Sequence, residues 1–166
     1  LATSDAGQLL LAQGLEVTAA NVAEIAPWRF TAPLSPDMAA AAEGRHIDFD
    51  ELLAFNRRST SADLRTITLI EGVGGVMVPL DERHTVLDWA AALTVPVVLV
   101  AGSYLGSMSH TLTALLALKS RGIPIAAVVV NETPASGVAL DATLGSLARH
   151  AQGIPLLGIR QALPEA

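Results

Sequence analysis

The chain contains no cysteine. That excludes a disulfide framework and any thiolate metal site, and a reducing cytoplasm is compatible with it. Lysine is almost as scarce, since Lys119 is the only one. A phosphate-cradling Gly-x-x-x-x-Gly-Lys-Ser/Thr loop is therefore excluded from these residues, because the single lysine falls late in a helical pattern. Aromatic residues make up only 4%, so the core must be Ala, Val and Leu. No apolar run approaches the roughly 18 residues that would span a bilayer. Positive charge is sparse as well. The formal net charge is −6 and the arginines are scattered, with Arg57-Arg58 the one pair. That balance disfavours a nucleic-acid surface. The four histidines His46, His84, His110 and His150 include no i, i+4 pair and give no sign of a zinc site. No Gly-x-Ser-x-Gly elbow for a nucleophilic serine is present either.

What is there is apolar and regular. Of 166 residues, 51% are hydrophobic and the mean hydropathy is +0.48, which suits a single domain over 1–166 with a sizeable core. Ser4 is placed to cap a helix over Leu1–Leu15, with Gly14 as its stop. Trp28 to Pro36 reads as an irregular loop, and Ser35-Pro36 opens an Ala-rich helix that ends near Gly44. Asp48 caps a further helix that runs to Arg58. From Arg65 onward strands alternate with helices. Strands are expected at Arg65–Ile70, Val97–Ala101, Ile125–Val130 and Pro155–Leu157. Helices are expected at about Thr85–Leu93, Gly106–Arg121 and Val138–His150. This order predicts an α/β fold with a parallel sheet flanked by helices. Because the chain begins with Leu1 and not Met, and shows no secretory signal, it reads as a piece of a longer protein.

The densest chemical signal is Thr66-Ile67-Thr68-Leu69-Ile70-Glu71-Gly72-Val73-Gly74-Gly75. A β-branched apolar run, expected to be buried on both faces, delivers one carboxylate to its end. The glycines that follow strip away side chains, so a ligand can lie against the backbone. That layout is a Walker-B-type strand end, which positions Mg²⁺ beside nucleotide phosphates. An ordinary strand end with a flexible turn is the competing reading. Parallel strands gather the residues after their ends along one edge, where ligands bind in open α/β sheets. Here those segments are Glu71 to Gly75, Gly102-Ser103-Tyr104, Asn131-Glu132-Thr133 and Gly158-Ile159-Arg160. Leu105-Gly106-Ser107-Met108-Ser109-His110 opens a long apolar helix, with Ser107 and Ser109 as cap candidates at an anion-attracting end. Thr31-Ala32-Pro33-Leu34-Ser35-Pro36 is a stiff loop with two hydroxyls, fit to present them to a ligand or simply to connect. Asp5 lies in the first turn of the first helix, where a carboxylate complements the dipole with no further role.

In order along the chain, Ser4-Asp5-Ala6, Thr31-x-Pro-x-Ser35-Pro36, Glu43-Gly44-Arg45, Glu71-Gly-x-Gly-Gly75 with Pro79-Leu80, Asp88-Trp89, Leu105-Gly-x-x-x-His110, Asn131 and Leu156-Leu157-Gly158 resemble the dethiobiotin synthetase family over essentially the whole chain. Each motif is weak alone, and the ordered set is specific. The resemblance implies a P-loop NTPase-like fold, incomplete at its N-terminus, and a cytoplasmic homodimer. It implies ATP-dependent addition of CO₂ to 7,8-diaminononanoate as a carbamate, phosphorylation of that carbamate, and closure of the cyclic urea with loss of phosphate. Asp5 and Glu71 match the Mg²⁺-associated carboxylates. Glu71, Gly72, Val73 and Gly74 match the phosphate-side nucleotide contact, and Asn131, with Glu132 beside it, matches the reader of adenine. Leu105, Gly106, Ser107, Met108 and Ser109 match the helix start that receives the substrate carboxylate across the dimer interface. Thr31, Ser35 and Gly75 match the substrate site.

The departures are specific. The family's phosphate-binding loop and the catalytic lysines are not in this segment and are expected upstream of Leu1. The family has Pro-Trp-Leu near the adenine, where Gln161-Ala162-Leu163 stands here, so Leu163 fits while Gln161 and Ala162 imply a looser or differently selective pocket. Two other readings stay open at this level. One is a cobyrinic-acid-type amidoligase domain, whose glutaminase partner would need a cysteine. The other is a non-catalytic dimeric binding module without a phosphate loop.

Overall fold

The computed structural model describes residues 1–60, 65–151 and 153–161. They fall into two compact units, Leu1–Ile47 and Asp48–Ala166.

The first unit is helical. Helix α1 spans Asp5–Ala12, where the Ser4 hydroxyl accepts the Gly7 N–H, and the turn that ends it places Gly14 at φ 70°. Helix α2, Ala19–Ile25, is capped by Thr18. The sequence pattern gives no sign of it, because seven residues carry too little periodicity to stand out. Helix α3, Pro36–Ala42, begins with proline at its first position, where a missing N–H costs nothing. Leu10, Val22, Ala39, Ala40 and Ile47 are buried.

The second unit holds helix α4 (Phe49–Ser59), helix α5 (Val86–Leu93), strand β1 (Val97–Gly102), helix α6 (Ser107–Ser120), strand β2 (Ile125–Asn131), helix α7 (Leu140–Ala148) and strand β3 (Leu156–Ile159). The strands form a parallel sheet in the order β1-β2-β3, as the alternating pattern predicts. Leu99, Val128, Val130 and Leu156 turn to one face and pack with Leu115, Leu140 and Leu147 of α6 and α7. The alternate positions Val98, Val100, Leu157 and Ile159 are all more than half exposed. A second apolar cluster joins Leu87 of α5 to Leu118 and Ile123.

One expected strand does not form. Residues 65–70 adopt no strand, and Ile67 and Leu69 are 86% and 85% exposed. Strand propensity is a preference for a pleated, half-buried surface, not a property of the isolated backbone. Among the described residues no neighbouring strand offers this segment a ladder of hydrogen bonds, so Thr66, Ile67 and Thr68 stand in solvent.

Helix α5 is fastened at both its start and its side. The Thr85 hydroxyl accepts the Asp88 N–H, and the Asp88 carboxylate accepts the Thr85 N–H at 2.9 Å, a reciprocal cap. The Arg121 guanidinium donates to the other carboxylate oxygen at 2.9 Å. These partners, the Thr85 N–H first, hold the Asp88 carboxyl below its ordinary pKa. A lowered folded pKa contributes stability above the unfolded carboxylate value and loses it as the pH falls through the folded one. Urea titrations at descending pH should therefore show a steeper acid loss for the wild type than for Asp88→Asn. Thr85→Ala should cost about 1 kcal/mol at neutral pH.

Candidate functional site at the carboxyl ends of the strands

The register sets Gly102 beside Asn131 and Asn131 beside Ile159. The three strands therefore end together on one edge. Two clasps hold that edge. On one side the Ser103 N–H donates to the Asn131 carbonyl and to Thr133 Oγ1, both at 3.1 Å, while Ser103 Oγ accepts the Thr133 N–H at 2.9 Å. Ser103 is fully buried. Gly102 is required there, because a Cβ would lie 2.8 Å from Thr133 Oγ1 and from the Tyr104 ring. On the other side the Glu132 N–H donates to the Ile159 carbonyl at 2.8 Å, and Glu132 Oε2 accepts the Gln161 N–H at 3.0 Å. Asn131 sits between the clasps and is exposed. Asn131, Glu132 and Gln161, singled out from sequence, are thus brought together. Ala162 and Leu163 lie outside the described residues. Ser103 and Thr133 were missed as fasteners, although a hydroxyl just past each of two adjacent parallel strands was a visible signal.

After β1 the chain reaches α6 through Tyr104, Leu105 and Gly106. Ser107 and Ser109 do not cap this helix. The cap position is Gly106, at φ 94°, and no side chain closes the end. The left-handed turn explains the shift, since glycine adopts it without a Cβ penalty. Ser107 becomes the first helical residue, buried at 3%, and its carbonyl accepts the Thr111 hydroxyl at 2.8 Å. Ser109, two residues further on, and Leu105 are exposed, and Met108 is half-buried. A helix start without a side-chain cap leaves first-turn N–H groups to other acceptors, and an anion is the favoured one.

The Glu71-to-Gly75 segment is exposed, and its glycines have separate reasons. At Gly72 a Cβ would press to 3.2 Å from Val86 Cγ1 and 3.7 Å from the Trp89 ring, so the backbone lies directly on α5. Gly74 has φ 74°, and a Cβ there would be 2.5 Å from Val78 Cγ2. Gly75 has open space around it, and its carbonyl accepts the Val78 N–H. Val73 is more than half exposed. Among the described residues no group of three or more His, Asp or Glu side chains stands close enough to hold a metal. The exposed carboxylate of Glu71 is nevertheless a hard oxygen donor of the kind Mg²⁺ takes singly, alongside waters and phosphate oxygens.

Asp5, Thr31 and Ser35 belong to the first unit. Asp5 is the exposed first residue of α1. Ser35 occupies the cap position of α3 and donates to the Asp37 carboxylate at 2.5 Å. Thr31 is exposed, and its N–H donates to Glu43 Oε1 at 2.7 Å.

A family model described as an AAA domain matches residues 3–165. The ATP-dependent dethiobiotin synthetase BioD of Acidiphilium cryptum (strain JF-5) is 55% identical over 155 residues, 93% of this chain and 69% of the relative. The protein of the same name from Methylobacterium nodulans (strain LMG 21967 / CNCM I-2342 / ORS 2060) is 48% identical over 149 residues, 89% of this chain and 66% of the relative. That of Phenylobacterium zucineum (strain HLK1) is 46% identical over 154 residues, covering 92% and 66%. The chain therefore spans about two thirds of the length of these curated relatives.

Proposed function

This chain belongs to the family of ATP-dependent dethiobiotin synthetases, and from that premise we propose that it supplies the adenine-reading, magnesium-binding and acceptor-binding parts of such an enzyme. The reaction is the ATP-driven insertion of CO₂ between the two amines of 7,8-diaminononanoate to give the cyclic urea of dethiobiotin. One observation carries the assignment within the second unit: an exposed carboxamide at the end of β2, held between two clasps, next to a β1 end that leads into a helix start no side chain caps. An amide both donates and accepts hydrogen bonds, which suits the edge of adenine. The helix start suits the substrate's carboxylate.

Phosphoryl transfer needs positioning and neutralisation of charge more than covalent help. Within the second unit, Glu71 is the residue that would hold the nucleotide's Mg²⁺. The ion would supply charge neutralisation on the phosphates. Gly72, Val73 and Gly74 give the phosphates an approach free of side chains, and Gly75 begins the acceptor side. Within the first unit, Thr31 and Ser35 are the wall residues that would contact the acceptor. The enzyme acts as a cytoplasmic homodimer, in which the α6 start serves the partner's acceptor.

A substitution at the helix start tests this assignment. Ser109 is the cleaner position, because Ser107 is buried and a large side chain there would strain the core. In the intact enzyme Ser109→Leu should raise the KM for diaminononanoate by about tenfold or more, roughly the worth of one lost charge-assisted contact, and leave the KM for ATP near its original value. Equal increases in both would refute the assignment of this end to the acceptor.

A further inference from the structure

Building on the reading of Thr31 and Ser35 as an acceptor-site wall, we propose that Glu43 and Arg45 are positioning residues for that wall. The device begins with how α3 ends. Gly44 takes φ 63°, its N–H donates to the Ala41 carbonyl, and the Arg45 N–H donates to the Ala40 carbonyl. This double closure turns the chain back on the helix end. It places Glu43 and Arg45, on either side of the glycine, facing the segment that leads into the loop.

Both side chains then grip that segment. Glu43 Oε1 accepts the Thr31 N–H at 2.7 Å. Glu43 Oε2 accepts one Arg45 Nη1 hydrogen at 3.1 Å, and the same nitrogen donates to the Arg29 carbonyl at 3.1 Å. The Arg45 guanidinium lies over the Phe30 ring, 4.7 Å from its centre. Three consecutive residues, Arg29 to Thr31, are thereby tied to the C-terminal end of α3. The far end of the loop is tied to the start of the same helix, since Ser35 is its cap residue and Pro36 its first residue. Between them Pro33 fixes its own φ, and the Leu34 N–H donates to the Ala32 carbonyl at 2.9 Å. The loop is a strap pinned to one helix at both ends. The Glu43 carboxyl is held below its ordinary range, first by the Thr31 N–H and then by Arg45, so the clamp is charged at neutral pH.

Neither side chain was assigned a role from its residue type. In the sequence Glu43-Gly44-Arg45 stands only as one of the ordered family motifs, at the end of an Ala-rich helix, and the chain reversal is what aims it at the loop. A strap held this way presents the Thr31 and Ser35 hydroxyls in one geometry before the acceptor arrives, which lowers the ordering cost of binding.

The test uses the intact enzyme, with steady-state KM values for diaminononanoate and for ATP and hydrogen exchange over 29–34. Glu43→Ala should speed exchange of the Thr31 amide and raise the diamine KM about tenfold, with the ATP KM changed less than about twofold. Glu43→Gln keeps an acceptor for the Thr31 N–H and should recover part of the loss. It also gives the answer if Glu43→Ala fails to fold. Thr31→Val and Ser35→Ala should raise the diamine KM by themselves. If those two change nothing, the acceptor-wall reading falls and this inference with it. If they act but Glu43→Ala and Glu43→Gln leave the diamine KM unmoved, the wall stands and the clamp is refuted. Equal rises in both KM values also refute it.

Discussion

Glu71→Gln should lower ATP-driven turnover of the intact enzyme at least about tenfold, the cost of removing roughly 1.4 kcal/mol of transition-state stabilisation, with little change in thermal stability. The substitution keeps the size of the side chain and most of its hydrogen bonding. It removes only the charge, which is what a magnesium triphosphate would sense. Stability should hold because the side chain is exposed, and exposed substitutions usually move stability by under about 0.5 kcal/mol. The neighbouring backbone is fixed independently of Glu71, through Gly72 against Val86 and Trp89 and through the left-handed turn at Gly74. A drop in turnover therefore reports the lost charge and not a displaced loop. Turnover within about twofold of the wild type would remove Glu71 from the active role, and an unchanged magnesium dependence would do the same.

The largest stability effect is expected at Trp89, through loss of packing and of a buried hydrogen bond together. Trp89 is 8% exposed, and its indole N–H donates to Asn56 Oδ1 at 2.9 Å across the contact between α4 and α5. Asn56 is itself 6% exposed. Trp89→Ala should cost about 3–5 kcal/mol, the range for emptying a buried aromatic site. Trp89→Phe keeps most of the packing and strands the Asn56 carboxamide, for about 1–3 kcal/mol. If the hydrogen bond carries that second cost, Asn56→Ala and Trp89→Phe combined should be clearly less than additive. Urea unfolding followed by far-ultraviolet circular dichroism measures all four variants. A loss below about 1 kcal/mol for Trp89→Ala would mean that α4 and α5 do not depend on this contact. Because Gly72 also rests against the Trp89 ring, Trp89→Phe should loosen the glycine segment and raise the KM for ATP even where the protein stays folded.

Much of the architecture was legible because it follows from local chemistry. Ser4 and Asp48 cap their helices as their side chains predict, and Gly14 and Gly44 take the left-handed turns expected of glycine after a helix. The β-branched runs at Val97 and Ile125 form strands, with adjacent ends at Gly102 and Asn131. The same logic failed at Thr66 to Ile70, where the residues favour a strand and no partner strand is in place among the described residues. It failed in a smaller way at α6. Two serines looked like caps, yet the cap is Gly106, because the turn from β1 needs a positive φ one residue earlier.

The amino-acid order alone determined the parallel α/β plan, the absence of a lysine-bearing phosphate loop from these residues, and the family. Those depend on patterns that each short stretch carries within itself. Tertiary structure alone decided which polar groups meet: Ser103 with Thr133, Glu132 with Gln161, Asn56 with Trp89, and Glu43 and Arg45 with the loop at Thr31. The partners in these pairs stand 12 to 33 residues apart. Only chain reversal, helix packing and strand register bring such distant donors and acceptors within hydrogen-bonding reach.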